Sequence, residues 1–527
     1  MVTVTNTMGE EYWDRFELQE QDIEFLYNYL LEVETPLTSE ELISALIDER
    51  VQRKKVELEK QRMSGGDLYQ PKGQYSKAQK LVFPVLGWRH GEVTDVRPGH
   101  NPAIEDFEVI TIAFEDGGRR EFAANLEEHK LNAPPELVDD FSFLDKDTVF
   151  AEYHEDLVAI LEEDLETNPD FVRIAGRWFP RALLVDIHIG HLNLAEAVLD
   201  MTGGGPLSTS ELLEQIDLSS HANPKLVDFS LDLALQEDPR FDEVGPAGDV
   251  LWFLHRLEPS QVIEPPVFLR FQGIDYDRSS LTPEMLALEQ ELDDELSPIS
   301  EKYKHLSEGE VHLIFPHWRS GTLPLSARIR HLFPTAYEAP RIRFTMIDGN
   351  SGEQFPGWVV REKRYVYGLE NWYDTHGVMP GSIIRLLQGK KPGEVVIQTD
   401  SQRSNREWIR TVLVGSDGGI VFAMLKQIVS APFDERMAIA VPDKEALDPI
   451  WNHHQKDHPT FERIVANTVR ELAKLNPQSH VHASELYAAI NITRRCPPGP
   501  ILALLASRPW FMHVGDLHYR LSDTELD

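Results

Sequence analysis

Three stretches of the chain close on the same short pattern. They read Asn168-Pro169-Asp170-Phe171 with Gly176 and Trp178, Asp238-Pro239-Arg240-Phe241 with Gly248 and Trp252, and Arg508-Pro509-Trp510-Phe511 with Gly515 and Tyr519. Proline stops a preceding helix and glycine makes a turn, so each stretch predicts a helix end followed by a hairpin. In the clearest copy, Pro206-Leu207-Ser208-Thr209 opens a helix with an N-cap signal, and Leu212, Leu213 and Ile216 recur at helical spacing. A second helical run, Leu226, Phe229, Leu233 and Leu235, stops at Pro239. Helix, helix, then a hairpin closed by an aromatic residue is thus an order that recurs three times.

That order is the order of a winged helix-turn-helix. The expected fold class is α+β multidomain, with repeated winged helix-turn-helix domains, a small SH3-like β-barrel and a larger β-rich domain. The first winged helix reads as split, over 15–66 and 140–187. Between its halves lie short alternating segments punctuated by Gly91, Pro98-Gly99 and Gly117-Gly118, which predict an inserted barrel over 70–135. This stretch resembles SH3-like and Tudor-like barrels. The second winged helix spans 190–258, an acidic helical linker 259–310, a basic β-rich domain 311–440, and the third winged helix 445–527.

Charge narrows the function classes. Lys and Arg total 51 against 88 Asp and Glu, a formal net charge of −37. Uniform coating by nucleic acid does not suit that balance, because phosphate contact needs local Lys and Arg. A single cysteine, Cys496, rules out an intramolecular disulfide and a cysteine-rich zinc finger. No apolar run approaches the ~20 residues of a membrane span, and the first residues do not read as a secretory signal. The expectation is a cytoplasmic protein without a membrane partner.

Locally the balance reverses. Residues 311–430 hold 15 Lys and Arg against 10 Asp and Glu, about +5 inside an acidic chain. The bases interleave with Trp358, Tyr365, Tyr367, Trp372, Tyr373 and Trp408, a mix suited to phosphate contact and base stacking. Arg341, Arg343, Arg361, Lys363, Arg364, Trp372 and Tyr373 are the candidate nucleic-acid-binding residues. The run Arg361-Glu362-Lys363-Arg364-Tyr365-Val366-Tyr367-Gly368-Leu369, then Trp372-Tyr373 and Met379-Pro380-Gly381-Ser382-Ile383, resembles plant-type DNA-binding pseudobarrels over about 60 residues.

The repeated hairpins resemble the HARE-type winged helix, known from the N-terminal domain of the bacterial RNA polymerase delta subunit and from chromatin- and restriction-associated proteins. Pro206-Leu207, Asp238-Pro239-Arg240-Phe241 and Trp252-Phe253-Leu254 carry the likeness. Here, however, Glu152–Glu166 holds seven acids and no Lys or Arg, and Leu226–Glu237 holds Asp228, Asp232 and Glu237. Winged helices that read DNA place bases on the corresponding helix, so these two suit a protein partner better. The third copy is more permissive, with Arg494, Arg495, Arg508 and Arg520.

Catalytic and cofactor motifs are missing. There is no phosphate-binding loop and no His-Glu-x-x-His. His453, His454 and His458 have helical ligand spacing without a companion motif, so no metal or cofactor is expected. Together these readings predict a non-enzymatic adaptor of transcription or nucleoid function. It would bind nucleic acid, DNA in preference to RNA, through the basic domain, and a protein such as RNA polymerase through acidic winged helices. The alternatives are a pure protein-interaction scaffold and a restriction-associated nuclease subunit, the latter hinted at by Pro169-Asp170 and Pro442-Asp443, neither followed by a nearby Glu-x-Lys.

Overall fold

The computed structural model describes residues 10–63, 66–83, 86, 89–101, 106–114, 117–132, 145–216, 218, 223–299, 306–391, 393–400, 405–415, 419–451 and 460–522. The chain forms two compact units, divided near Leu184, each mixing helices with sheets. No helix among the described residues is long and apolar enough to cross a membrane. His453, His454 and His458 lie outside the described residues.

After a single helical turn at Glu10–Asp14, the first unit has α1 (Glu20–Val33), which buries Leu26 and Leu30, then β1 (Leu37–Thr38) and α2 (Ser39–Met63). Next come β2 (Asp67–Leu68), β3 (Lys80–Phe83), β4 (Arg89–Pro98), β5 (Glu108–Phe114) and β6 (Arg119–Ala124). These five strands form one sheet in chain order, antiparallel except for the parallel β2–β3 pair. In β5, alternation turns Ile110, Ile112 and Phe114 to the buried face, as a half-solvated strand requires. After the sheet come α3 (Lys146–Thr167), β7 (Phe171–Ile174) and β8 (Arg177–Pro180).

The chain here returns to its start, since Trp178 of β8 pairs with Leu37 of β1. Trp178 is buried, and its indole N–H donates to Ser39 Oγ at 3.0 Å. Ser39 donates in turn to Glu162 of α3 at 2.6 Å. An aromatic that buries its ring while its N–H finds an acceptor fixes both the depth and the angle of the hairpin.

The second unit opens with α4 (Ile189–Met201), β9 (Leu207–Ser208), α5 (Thr209–Leu213), α6 (Pro224–Glu237), β10 (Phe241–Glu243) and β11 (Leu251–Leu254). Ser208 and Glu211 form a reciprocal capping box at the start of α5. Trp252 repeats the arrangement of Trp178, donating at 2.9 Å to the buried Asp232 of α6.

The described residues of 259–299 differ from the expected spacer by packing into a core. Helix α7 (Pro283–Leu292), capped by Thr282, buries Met285 and Leu288 in the core that also holds Val465 and Leu486. Asp293, Asp294 and Glu295, which follow it, are also buried.

Strands β12 (Glu308–His312), β13 (Thr322–Pro324), β14 (Arg341–Asp348), β15 (Gln354–Val360), β16 (Tyr365–Tyr367), β17 (Ile383–Gln388) and β18 (Glu394–Gln398) form a nearly closed, barrel-like sheet. Its order is β12-β17-β18-β14-β15-β16-β13. Helix α8 (Phe315–Ser320) bridges β12 and β13, and α9 (Glu370–His376) follows β16. A separate two-stranded ribbon, β19 (Asn405–Val414) with β20 (Ile420–Val429), precedes α10 (Phe461–Ala473), β21 (Val481–His482), α11 (Ala483–Ile490), α12 (Pro498–Ser507), β22 (Phe511–Gly515) and β23 (His518–Leu521). Three small sheets, β1-β8-β7, β9-β11-β10 and β21-β23-β22, therefore share one order, with the short strand beside the last strand of the hairpin.

Candidate functional site

The seven candidate residues do not gather on one open face. Arg341 forms ion pairs with Asp242 and, at 3.1 Å, with Glu258. Arg343, two residues along β14 and so on the same side, is half-buried over the Phe253 ring at 5.6 Å. Burial holds its guanidinium below the ordinary arginine range. Arg361 donates to the carbonyls of Ala339 at 2.9 Å and Tyr337 at 3.3 Å. Arg364 is exposed yet donates to the Glu295 carbonyl at 3.1 Å, and the exposed Lys363 pairs with Glu362 at 2.6 Å. Tyr373 is buried, with its phenol donating to the Thr322 carbonyl at 2.7 Å. Only Lys363 and Arg364 keep the exposure that a phosphate contact needs.

Trp372 leads elsewhere. It lines a cleft of about 660 Å³ at one side of the barrel-like sheet, within the range typical of ligand pockets. Phe355 and Trp358 of β15, Tyr367 of β16 and Trp372 of α9 supply aromatic walls. Asp348, Glu353 and Glu370 supply carboxylates, and no Lys or Arg lines the cleft. The turn from β16 into α9 depends on Gly368, whose φ is +121° and where an added Cβ would meet the Pro356 carbonyl oxygen at 2.7 Å.

The polar groups of the cleft are tightly held. Asp348 accepts from Ser351 Oγ at 2.6 Å and Asn350 N at 3.0 Å, and its Oδ2 lies 3.3 Å from His376 Nε2. Burial pushes this carboxyl up, but those two hydrogen bonds and His376 outweigh it and leave Asp348 below the ordinary range. The other ring nitrogen of His376 lies 2.9 Å from the Trp372 carbonyl, and its ring stacks on Trp372 at 4.4 Å. Burial first, then the neighbouring Glu370 carboxylate, hold the Tyr367 phenol above its ordinary range. Ser351 donates to the Asp348 carboxylate and Thr375 to the Asn371 carbonyl. An aromatic cleft with carboxylates at its wall and rim is suited to binding.

A second cluster, Asp242, His255 and Glu258, could bring three ligand atoms within 4.8 Å of one another. Arg341 already pairs with both carboxylates and supplies the positive charge a cation would bring. Asp443, one of the two aspartates behind the nuclease alternative, accepts from Ala446 N at 3.0 Å and caps a turn.

The sequence pointed to Trp372 but for a different partner. The acids around it were counted only in the regional sum, because nothing in linear order shows that Asp348, Glu353 and Glu370 share one wall. Compared with known proteins, the chain matches no protein-family model, no curated protein and no solved structure.

Proposed function

We propose that this chain is a non-enzymatic adaptor built from three winged-helix modules and a pseudobarrel, which docks a basic protein surface. The observation that carries this reading is the distribution of accessible charge. Glu152, Glu155 and Glu163 of α3 are exposed, whereas Arg341, Arg343 and Arg361 are held by internal partners. Three repeats of one sheet order, each preceded by helices, support the winged-helix reading. The seven-stranded sheet with short helices after β12 and β16 supports the pseudobarrel.

The test is an affinity pull-down of the full chain from its native host, with and without nuclease treatment. A partner retained after nuclease and weakened at least tenfold by joint replacement of Glu152, Glu155 and Glu163 with Lys is the expected result. A partner lost on nuclease treatment, or indifferent to the charge reversal, would sink it.

The exposed ribbon favours a second reading, nucleic-acid contact. Directly opposed residues of an antiparallel pair share a face, so Arg406, Trp408, Lys426 and Ile428 lie together. Trp408 is 61% exposed, with Lys426 Nζ over its ring at 5.4 Å. A two-stranded ribbon of this kind fits the DNA major groove. Replacing Arg406 and Lys426 with Ala, or Lys363 and Arg364 with Ala, is expected to lower the slope of log affinity against log salt by about 0.9 per lost phosphate contact. Slopes unchanged in both variants would remove nucleic acid from the account.

A further inference from the structure

We infer that the aromatic–acidic cleft beside α9 takes an organic cation, the guanidinium or ammonium group of a basic peptide segment. The inference rests on the adaptor reading and names the place where the basic partner inserts a side chain. Glu353 and Glu370 are exposed at the rim and have no cationic partner among the described residues. Between them the wall is aromatic, from Tyr367 and Trp372. A ring face attracts a cation through its quadrupole, and an apolar wall accepts the methylene stem of Arg or Lys. Phosphate or carboxylate ligands meet only like charge here, apart from His376, which Asp348 already engages.

One further group points into the same chemistry. Trp372 is buried, and its indole N–H lies close enough to Asp348 to help hold that carboxylate charged beside the aromatic wall. A free polyamine offers the same cation without a peptide chain, so the two sources are separable.

The experiment is calorimetric titration of the full chain with the capped peptide acetyl-Arg-Lys-Arg-Lys-amide, with spermidine, and with acetyl-Glu-Asp-Glu-Asp-amide. Binding of the basic peptide, none of the acidic one, and at least a tenfold loss in a Glu353→Gln/Glu370→Gln variant are expected. Spermidine is expected to bind at least tenfold more weakly than the peptide, and equal affinity would assign the cleft to free polyamines and overturn the peptide assignment. A Glu152→Gln/Glu155→Gln variant removes equal charge from α3 and is expected to leave the cleft affinity within twofold. If the α3 variant loses the peptide while the cleft variant keeps it, the cleft inference falls and the adaptor reading stands. If no basic ligand binds the wild-type chain at all, both fall.

Discussion

Replacing Arg495 with Met is expected to lower the stability of the second unit by about 3–5 kcal/mol, the cost of leaving buried carboxylates without their counter-charge. Arg495 has a fully buried side chain, with Nη2 at 2.7 Å from Asp294 and 2.6 Å from Glu295. Its Nη1 donates to Asn491 at 3.2 Å, while Tyr487 donates to Asp294 at 2.5 Å. His317 Nε2 lies 3.2 Å from Glu295 on the other side. Burial pushes the Glu295 carboxyl up, yet Arg495 and His317 outweigh it and hold it well below the ordinary range. The guanidinium therefore ties α11 and its following turn to the segment after α7 through charge that has no access to water. Chemical denaturation of the full chain checks this, read as the transition of the second unit, since a chain of several units need not unfold in one step. Adding Asp294→Asn and Glu295→Gln is expected to restore most of the loss, because the cost lies in the orphaned charges. Arg494→Met, a neighbour whose guanidinium lies over Phe461 at 5.9 Å, should change stability by no more than about 1 kcal/mol. A loss in the Arg495 variant no larger than this control would show that the network is not what holds the segment.

Arg495 also shows why the hairpins were easier to read than the charges. The pattern of Pro, aromatic, Gly and aromatic is local, and Phe171, Trp178, Phe241, Trp252, Phe511 and Tyr519 all prove buried. Their hairpins lie within a few residues of the signals that predict them. The bases instead find partners far away along the chain. Arg341 meets Asp242 at a separation of 99 residues, and Arg495 meets Asp294 at 201. Arg495, a base of the third module in sequence, is therefore neutralised internally, and Arg508 likewise pairs with Glu462 at 3.2 Å. The expected acidic spacer failed for the same reason. Asp293, Asp294 and Glu295 look like a solvated run in sequence, and the distant Arg495, Tyr487, Ser326, Arg328 and His317 offset the cost of their burial. The cleft lay further out of reach, because its wall depends on β14, β15, β16 and α9 standing side by side.

Stability of the second unit is expected to be greatest near pH 4 and to fall by a few kcal/mol toward pH 8, opposite to the trend of a chain whose buried acids are all ion-paired. Three carboxyls set the direction. Burial pushes Glu243 up to about 8, against a hydrogen bond from Gly245 N and aided by Glu338. Burial, then Asp242, push Glu258 up to about 8 despite Arg341. Burial pushes Asp232 up to about 7, even though Thr209 and Trp252 donate to it. In the unfolded chain these groups titrate near 4.5 for Glu and 3.8 for Asp. Between those values and 7 to 8 the folded state holds protons that the unfolded chain has released. Their contribution is thus fully present below about pH 4 and is lost as pH rises through 7 to 8. On the acid side Asp434 works the other way. A hydrogen bond from His312 holds it down to about 2, so its contribution is lost as pH falls from 3.8 toward 2. The two trends place the maximum between them. Thermal melts from pH 4 to 9 check the sign, and a midpoint that rises from pH 5 to pH 8 would refute it. Glu243→Gln and Glu258→Gln carry the decisive comparison. Each amide keeps the shape but cannot ionise, so both variants should melt close to wild type at pH 5 and above it at pH 8. Wild-type and variant curves that stay parallel would place the pH dependence on other groups.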